Sequence, residues 1–77
     1  MLYWNNENDR VWRAEIGGGL HVRVDKLPEG TYTAEVLDAA GKELGRQSSI
    51  QFGRIAQDVA VAMAHRILRD AMLSLEG

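Results

Sequence analysis

The sequence predicts an α+β fold, in which an antiparallel β-meander of three to four strands packs against one long C-terminal α-helix. Residues from about 10 to 47 alternate apolar and polar side chains with a period of two, interrupted by glycine-containing turns. Residues from about 48 to 75 instead repeat apolar side chains at the spacing of an amphipathic helix. The 77 residues are predicted to form a single small domain, 1–77.

The predicted strands follow one another along the chain. Residues 11–16, 20–26 and 31–38 form the first three, separated by a triple-glycine turn and by a turn that contains Pro28 and Gly30. A short fourth strand at 43–47 is expected to turn Leu44 inward. The polar run at 5–9 is predicted to be a loop or an early turn, while Tyr3 and Trp4 either start an edge strand or fold back onto the core.

Two starting points are open for the helix. Ser48 and Gln51 have the spacing of a capping box, which predicts a helix from Ser48 onward. Gly53 weakens the first turns, so the alternative start lies near Arg54.

The predicted helix carries two adjacent apolar rows. The first is expected to cover the sheet and consists of Ala56, Val59, Ala60, Met63, Ile67 and Ala71. The second, called the second apolar row below, consists of Val61, Ala64, Leu68, Met72 and Leu75. This second row either packs on the sheet edge or under Tyr3 and Trp4, or it contacts another chain.

The alternation also predicts which polar side chains share the outer face of the sheet. Pairing Ile16 with Leu20, and Val24 with Tyr32, gives two outward rows. These rows are Glu15–His21–Glu35 and Arg13–Arg23–Thr33.

Each outward row has a chemical and a plain structural interpretation. Two carboxylates beside His21 make Glu15, His21 and Glu35 a candidate pH-sensitive cluster. Arg13 and Arg23 directly opposite each other destabilise the sheet, which favours an anion or an acidic partner there. The plain interpretation is that both rows are solvated charge ladders of little energetic weight. We predict no metal site, because neither a thiolate nor a second histidine joins His21.

Composition disfavours some classes of protein and excludes others. The formal charge of −2 and an isoelectric point near 5.6 disfavour nucleic-acid binding. The longest apolar run, 59–64, is too short to span a bilayer, and the N-terminal residues do not resemble a signal peptide. We therefore expect a cytoplasmic protein with no membrane association. Cysteine is absent, so disulfides are excluded.

The function expected from these observations is protein–protein interaction without catalysis or cofactors. No phosphate-binding loop or catalytic triad is present in the sequence. The expected partner is a larger protein or a second copy of the chain, and small regulators and inhibitors of phages and mobile elements offer a class-level analogy. Predicted partner-binding residues are Val61, Ala64, Leu68, Met72, Leu75, Arg13 and Arg23. The alternative is a nucleic-acid-binding domain that uses the outer sheet face, with Arg13 and Arg23 on phosphates or bases.

Overall fold

The α+β fold is confirmed: one antiparallel sheet packs against a single C-terminal helix. The structure, a computed structural model, describes residues 2–76, and their side chains for residues 2–72. The elements are β1 (Asn5–Asn8), β2 (Val11–Gly17), β3 (Leu20–Lys26), β4 (Tyr32–Leu37), β5 (Glu43–Ile50) and α1 (Gly53–Glu76). The spatial order of the strands is β1-β2-β3-β4-β5, a simple meander in which each strand pairs with its neighbours in sequence.

The sheet contains five strands, rather than the three to four predicted. The additional strand, β1, occupies the polar segment that was predicted to be a loop. All four of its residues are exposed, so it has no alternation of apolar and polar side chains that could reveal it. Pairing with β2 forms this strand, and a bulge after Asn6 shifts its register.

The helix begins at Gly53, so the predicted start at Ser48 and its capping box are wrong. Ser48 lies in β5, which continues to Ile50 because the buried Ile50 side chain pairs opposite Tyr32. The register of β5 against β4 shifts between Tyr32 and Ala34, and Ser49 adopts a φ of 61° at this irregularity. Leu44 does not face inward as expected and is 40% exposed.

The core lies between the helix and the inner face of the central strands. Ala56, Ala60 and Ala64 occur at every fourth helix position, and each has no exposed surface. They face the sheet, whose fully buried inner side chains are Val22, Val24, Ala34 and Val36. The predicted first apolar row does cover the sheet, except for Ala71, which is exposed.

The triple glycine lets β2 and β3 turn tightly beneath the helix. Gly17, Gly18 and Gly19 all have positive φ, a conformation that side-chain-bearing residues rarely adopt. A Cβ added to Gly18 would lie 2.9 Å from Cδ2 of Leu68. This turn therefore supports the helix at Leu68.

The helix is longer than the sheet that it covers. Its 24 residues span about 36 Å, whereas the longest strand has eight residues and spans about 27 Å. Leu68 is the last described helix residue that packs against the core. Among the described residues, no helix has the length and apolar character needed to cross a membrane.

We predict that Ala60→Leu destabilises the domain by about 1–3 kcal/mol. Ala60 is fully buried between helix and sheet, so the larger leucine side chain fits only if neighbouring side chains or the backbone shift. Urea denaturation followed by circular dichroism measures the change. Ala62→Leu is the matched control, since Ala62 is exposed on the same helix and its replacement should change stability by less than about 0.5 kcal/mol. Equal effects of the two substitutions would contradict the proposed close packing.

Candidate functional site

Charged side chains form a continuous row across the outer face of the sheet. The pairing of β2 with β3 follows the prediction over most of its length, with Arg13 opposite Arg23 and Glu15 opposite His21. Only its end near the turn differs, because Gly17 rather than Ile16 pairs with Leu20.

The predicted register of β3 against β4 is wrong by two residues. Glu35 lies opposite Arg23, and His21 lies opposite Leu37. The three-residue cluster of Glu15, His21 and Glu35 is therefore not assembled, and only the Glu15–His21 neighbours remain. Thr33 lies opposite Asp25 instead of Arg23, because the connection from β3 to β4 is longer than expected.

The Arg13–Arg23 pair is not the uncompensated contact that the sequence predicted. Nε of Arg13 lies 2.8 Å from Oε1 of Glu7, and Nε of Arg23 lies 3.1 Å from Oδ1 of Asp25. Farther along the same row, Arg46 lies opposite Glu35. Each arginine of the pair already has a carboxylate partner within the domain, so the face does not present free positive charge at these two positions.

Arg46, on the edge strand β5, also has a carboxylate partner. Nη1 of Arg46 lies 3.6 Å from Oε1 of Glu43, which is three residues earlier on β5. Both side chains are about half exposed, so this pair contributes little stability. Its effect is to neutralise the third arginine of the outer face.

A carboxyl pair lies at the centre of this face. Burial raises the pKa of Glu35, and a hydrogen bond with Asp25 and the charge of Asp25 raise it further. Arg23 and Arg46 act in the opposite direction but do not reverse the shift. Glu35 thus holds a proton more readily than an isolated surface carboxylate.

Thr33 lies in the same part of the outer face and is almost fully buried. Its exposed fraction is 1%, and its hydroxyl has no hydrogen-bond partner among the described residues. A buried hydroxyl without a partner lowers stability.

We predict that the stability of the domain falls as the pH rises from 4.5 through the raised pKa of Glu35. Between these values the folded protein binds a proton that the unfolded chain has lost, so raising the pH favours unfolding. Glu35→Gln should remove this fall. Urea midpoints measured from about pH 3.5 to pH 8 test the prediction, and parallel curves for the variant and the wild type would contradict it.

We also predict that Thr33→Val stabilises the domain by about 1 kcal/mol, because valine has the same shape without the unpaired hydroxyl. Thr31→Val is the control. The hydroxyl of Thr31 donates a hydrogen bond to Oε1 of Glu29 at 3.1 Å, so its removal should bring no gain. Thermal unfolding of both variants measures the difference, and a loss of stability in Thr33→Val would refute the role assigned to the hydroxyl.

A cleft lies where the N-terminal residues enter β1. Its volume is about 570 Å³, and its polar lining includes Glu7, Arg13, Glu15 and His21. Arg13 is already paired with Glu7, which fills part of its hydrogen-bonding capacity. Among the described residues, no three histidine, aspartate or glutamate side chains converge closely enough to hold a metal ion.

The second apolar row of the helix is divided between core and surface. Ala64 has no exposed surface and belongs to the core, so it is not available to a partner as predicted. Val61 and Leu68 are partly buried, and Leu68 packs against the core. Met72 is 63% exposed. Leu75 lies outside the residues whose side chains the structure describes.

Two further surfaces were not predicted as sites. An aromatic groove of about 340 Å³ lies at the start of the helix, where Trp12 and Tyr32 contact each other with ring centroids 6.2 Å apart. Phe52 and Ile55, near the same end of the helix, are 61% and 50% exposed.

The other surface is a shallow depression of about 590 Å³ on the solvent side of the helix. It is lined by Ala62, His65, Arg66 and Arg69, which we call the arginine patch. These residues are spaced by three and four positions along the helix, a signal that is visible in the sequence.

Comparison with protein-family models, curated proteins and solved structures gives no match. The geometry of the chain itself is therefore the basis for a proposal about function.

Proposed function

We propose that the chain is a small, non-enzymatic protein–protein interaction domain that acts as a regulator or inhibitor by occupying a surface on a larger protein. The observation that carries this proposal is the exposed Met72 near the end of the helix. Leu68 is the last residue with a described side chain that packs against the core, and the helix continues beyond it and exposes Met72. Apolar surface in such a position favours contact with another protein.

The contact surface proposed for this partner is smaller than the full second apolar row. It comprises the exposed parts of Val61, Leu68 and Met72, which follow one another along one side of the helix. Methionine suits a contact of this kind, because its flexible side chain adapts to different partner surfaces. A second copy of the chain is the alternative occupant.

The outer face of the sheet supports the alternative proposal, nucleic-acid binding, less well. Arg13, Arg23 and Arg46 each lie within ion-pair distance of a carboxylate. A phosphate group would have to displace these carboxylates and would meet their repulsion. We therefore place the contact surface on the helix, with the outer sheet face as a solvated surface.

We predict that Met72→Asp abolishes partner binding and leaves the fold intact, because Met72 is largely exposed and does not support the core. Tagged protein is incubated with cell extract, and captured proteins are quantified by mass spectrometry. Ile55→Asp is the matched control, since Ile55 is an exposed apolar residue at the opposite end of the same helix.

Light scattering over a range of protein concentrations tests the second occupant. A dimer that Met72→Asp dissociates, and that Ile55→Asp leaves intact, would identify a second copy as the partner. Capture and self-association that are both insensitive to Met72→Asp would refute the proposed surface.

A further inference from the structure

The arginines of the arginine patch, on the helix, differ from Arg13 and Arg23 on the sheet in their ion pairing. Arg66 and Arg69 are exposed, and within residues 2–72 neither forms an ion pair. On the sheet, by contrast, Arg13 and Arg23 are each held by a carboxylate of the domain. The helix therefore presents two guanidinium groups that no carboxylate of residues 2–72 approaches within ion-pair distance.

The arginine patch adjoins the proposed apolar contact surface. Met72 follows Arg69 by three positions, and Leu68 follows His65 by three, so these pairs are neighbours on the helix surface. Val61 precedes His65 by four positions and lies on the same side. The exposed surface of the helix is thus apolar on one side and carries two guanidinium groups on the other.

We propose that this composite surface binds a segment of a partner protein that combines acidic and apolar side chains. The inference rests on the proposed function and adds the chemistry of the partner. Apolar side chains of the partner cover Met72 and the exposed edge of Leu68, while its carboxylates pair with Arg66 and Arg69. Arginine is suited to this role because its planar guanidinium group binds carboxylates through two parallel hydrogen bonds.

The extent of the patch favours an acidic protein segment over nucleic acid. Its two arginines lie within a single helical turn, and the same helix carries Asp58 and Asp70 nearby. Nucleic-acid binding draws its affinity from many phosphate contacts, and the net charge of −2 opposes such contacts. A few carboxylates beside an apolar contact match what the surface offers.

The test selects binders from a random linear peptide library displayed on phage, with the full chain immobilised. Affinities of the selected peptides are then measured by fluorescence anisotropy for the wild type and for the variants R66E/R69E and M72D. R10E/R54E is the charge-matched control, because it reverses two other exposed arginines and gives the same net charge.

The expected result is enrichment of aspartate and glutamate next to large apolar residues. R66E/R69E should weaken binding about 3- to 10-fold at low salt, and the difference should shrink as salt screens the charges. R10E/R54E should leave the affinity within about twofold of the wild type.

The outcomes separate the two proposals. In one outcome, the peptides depend on Met72, contain no excess of acidic residues and bind R66E/R69E as well as the wild type. This outcome would overturn the acidic partner and leave the proposed function standing. A selection that yields no peptide dependent on Met72 would contradict both. In another outcome, the chain binds a double-stranded DNA oligonucleotide, R66E/R69E abolishes this binding, and the peptides do not compete with the DNA. This outcome would replace the acidic segment with nucleic acid as the partner.

Discussion

The close approach of the helix to the sheet is the contact on which the rest of the structure depends. Ala56, Ala60 and Ala64 bring the helix backbone near the sheet, and all three are fully buried. Because alanine contributes little apolar area of its own, the burial of Val22 and Val24 depends on this short distance. Larger neighbours on the helix, such as Met63 and Ile67, then close the sides of the same interface.

This one-sided core determines the chemistry of the opposite face of the sheet. Only one face of the antiparallel sheet packs against the helix, so the other face carries polar side chains. Across that face, arginines lie close to carboxylates, as in the contact of Arg23 with Asp25. The compensation explains how Arg13 and Arg23 lie directly opposite each other without leaving a vacant anion site. On this face, burial and the neighbouring Asp25 raise the pKa of Glu35.

The length of the helix explains why the candidate contact surface lies on it. A sheet of this size covers the helix as far as Leu68, and the turn at Gly18 supports that last contact. The helix continues beyond Leu68 to Glu76. Exposed Met72 lies on this part of the helix, and Arg66 and Arg69, which form no ion pair within residues 2–72, lie close to it. Apolar and charged contacts therefore fall within reach of a single partner.

The sequence by itself determined the fold class and the face on which most strand residues lie. The alternation of side chains has a period of two, and one buried face requires that parity. The same parity requires Val22, Val24, Ala34 and Val36 to lie on the inner face, where all four are fully buried. In the same way, the helical spacing assigned Ala56 and Ala60 to the apolar row that covers the sheet.

Only the tertiary structure decided the register, the edge strands and the division of the second apolar row. A shift of two residues preserves parity, so the pattern could not exclude it, and the loop between β3 and β4 set the pairing. In that loop the backbone N–H of Leu27 bonds to the carbonyl of Thr31 at 2.8 Å, which places Lys26 opposite Tyr32 and Glu35 opposite Arg23. β1 forms from exposed polar residues because β2 offers free backbone groups to pair with, and such pairing has no side-chain pattern. Ala64 and Met72 belong to the same helical row, yet one is buried and the other exposed, because Met72 lies beyond Leu68, the last described helix residue that packs against the core.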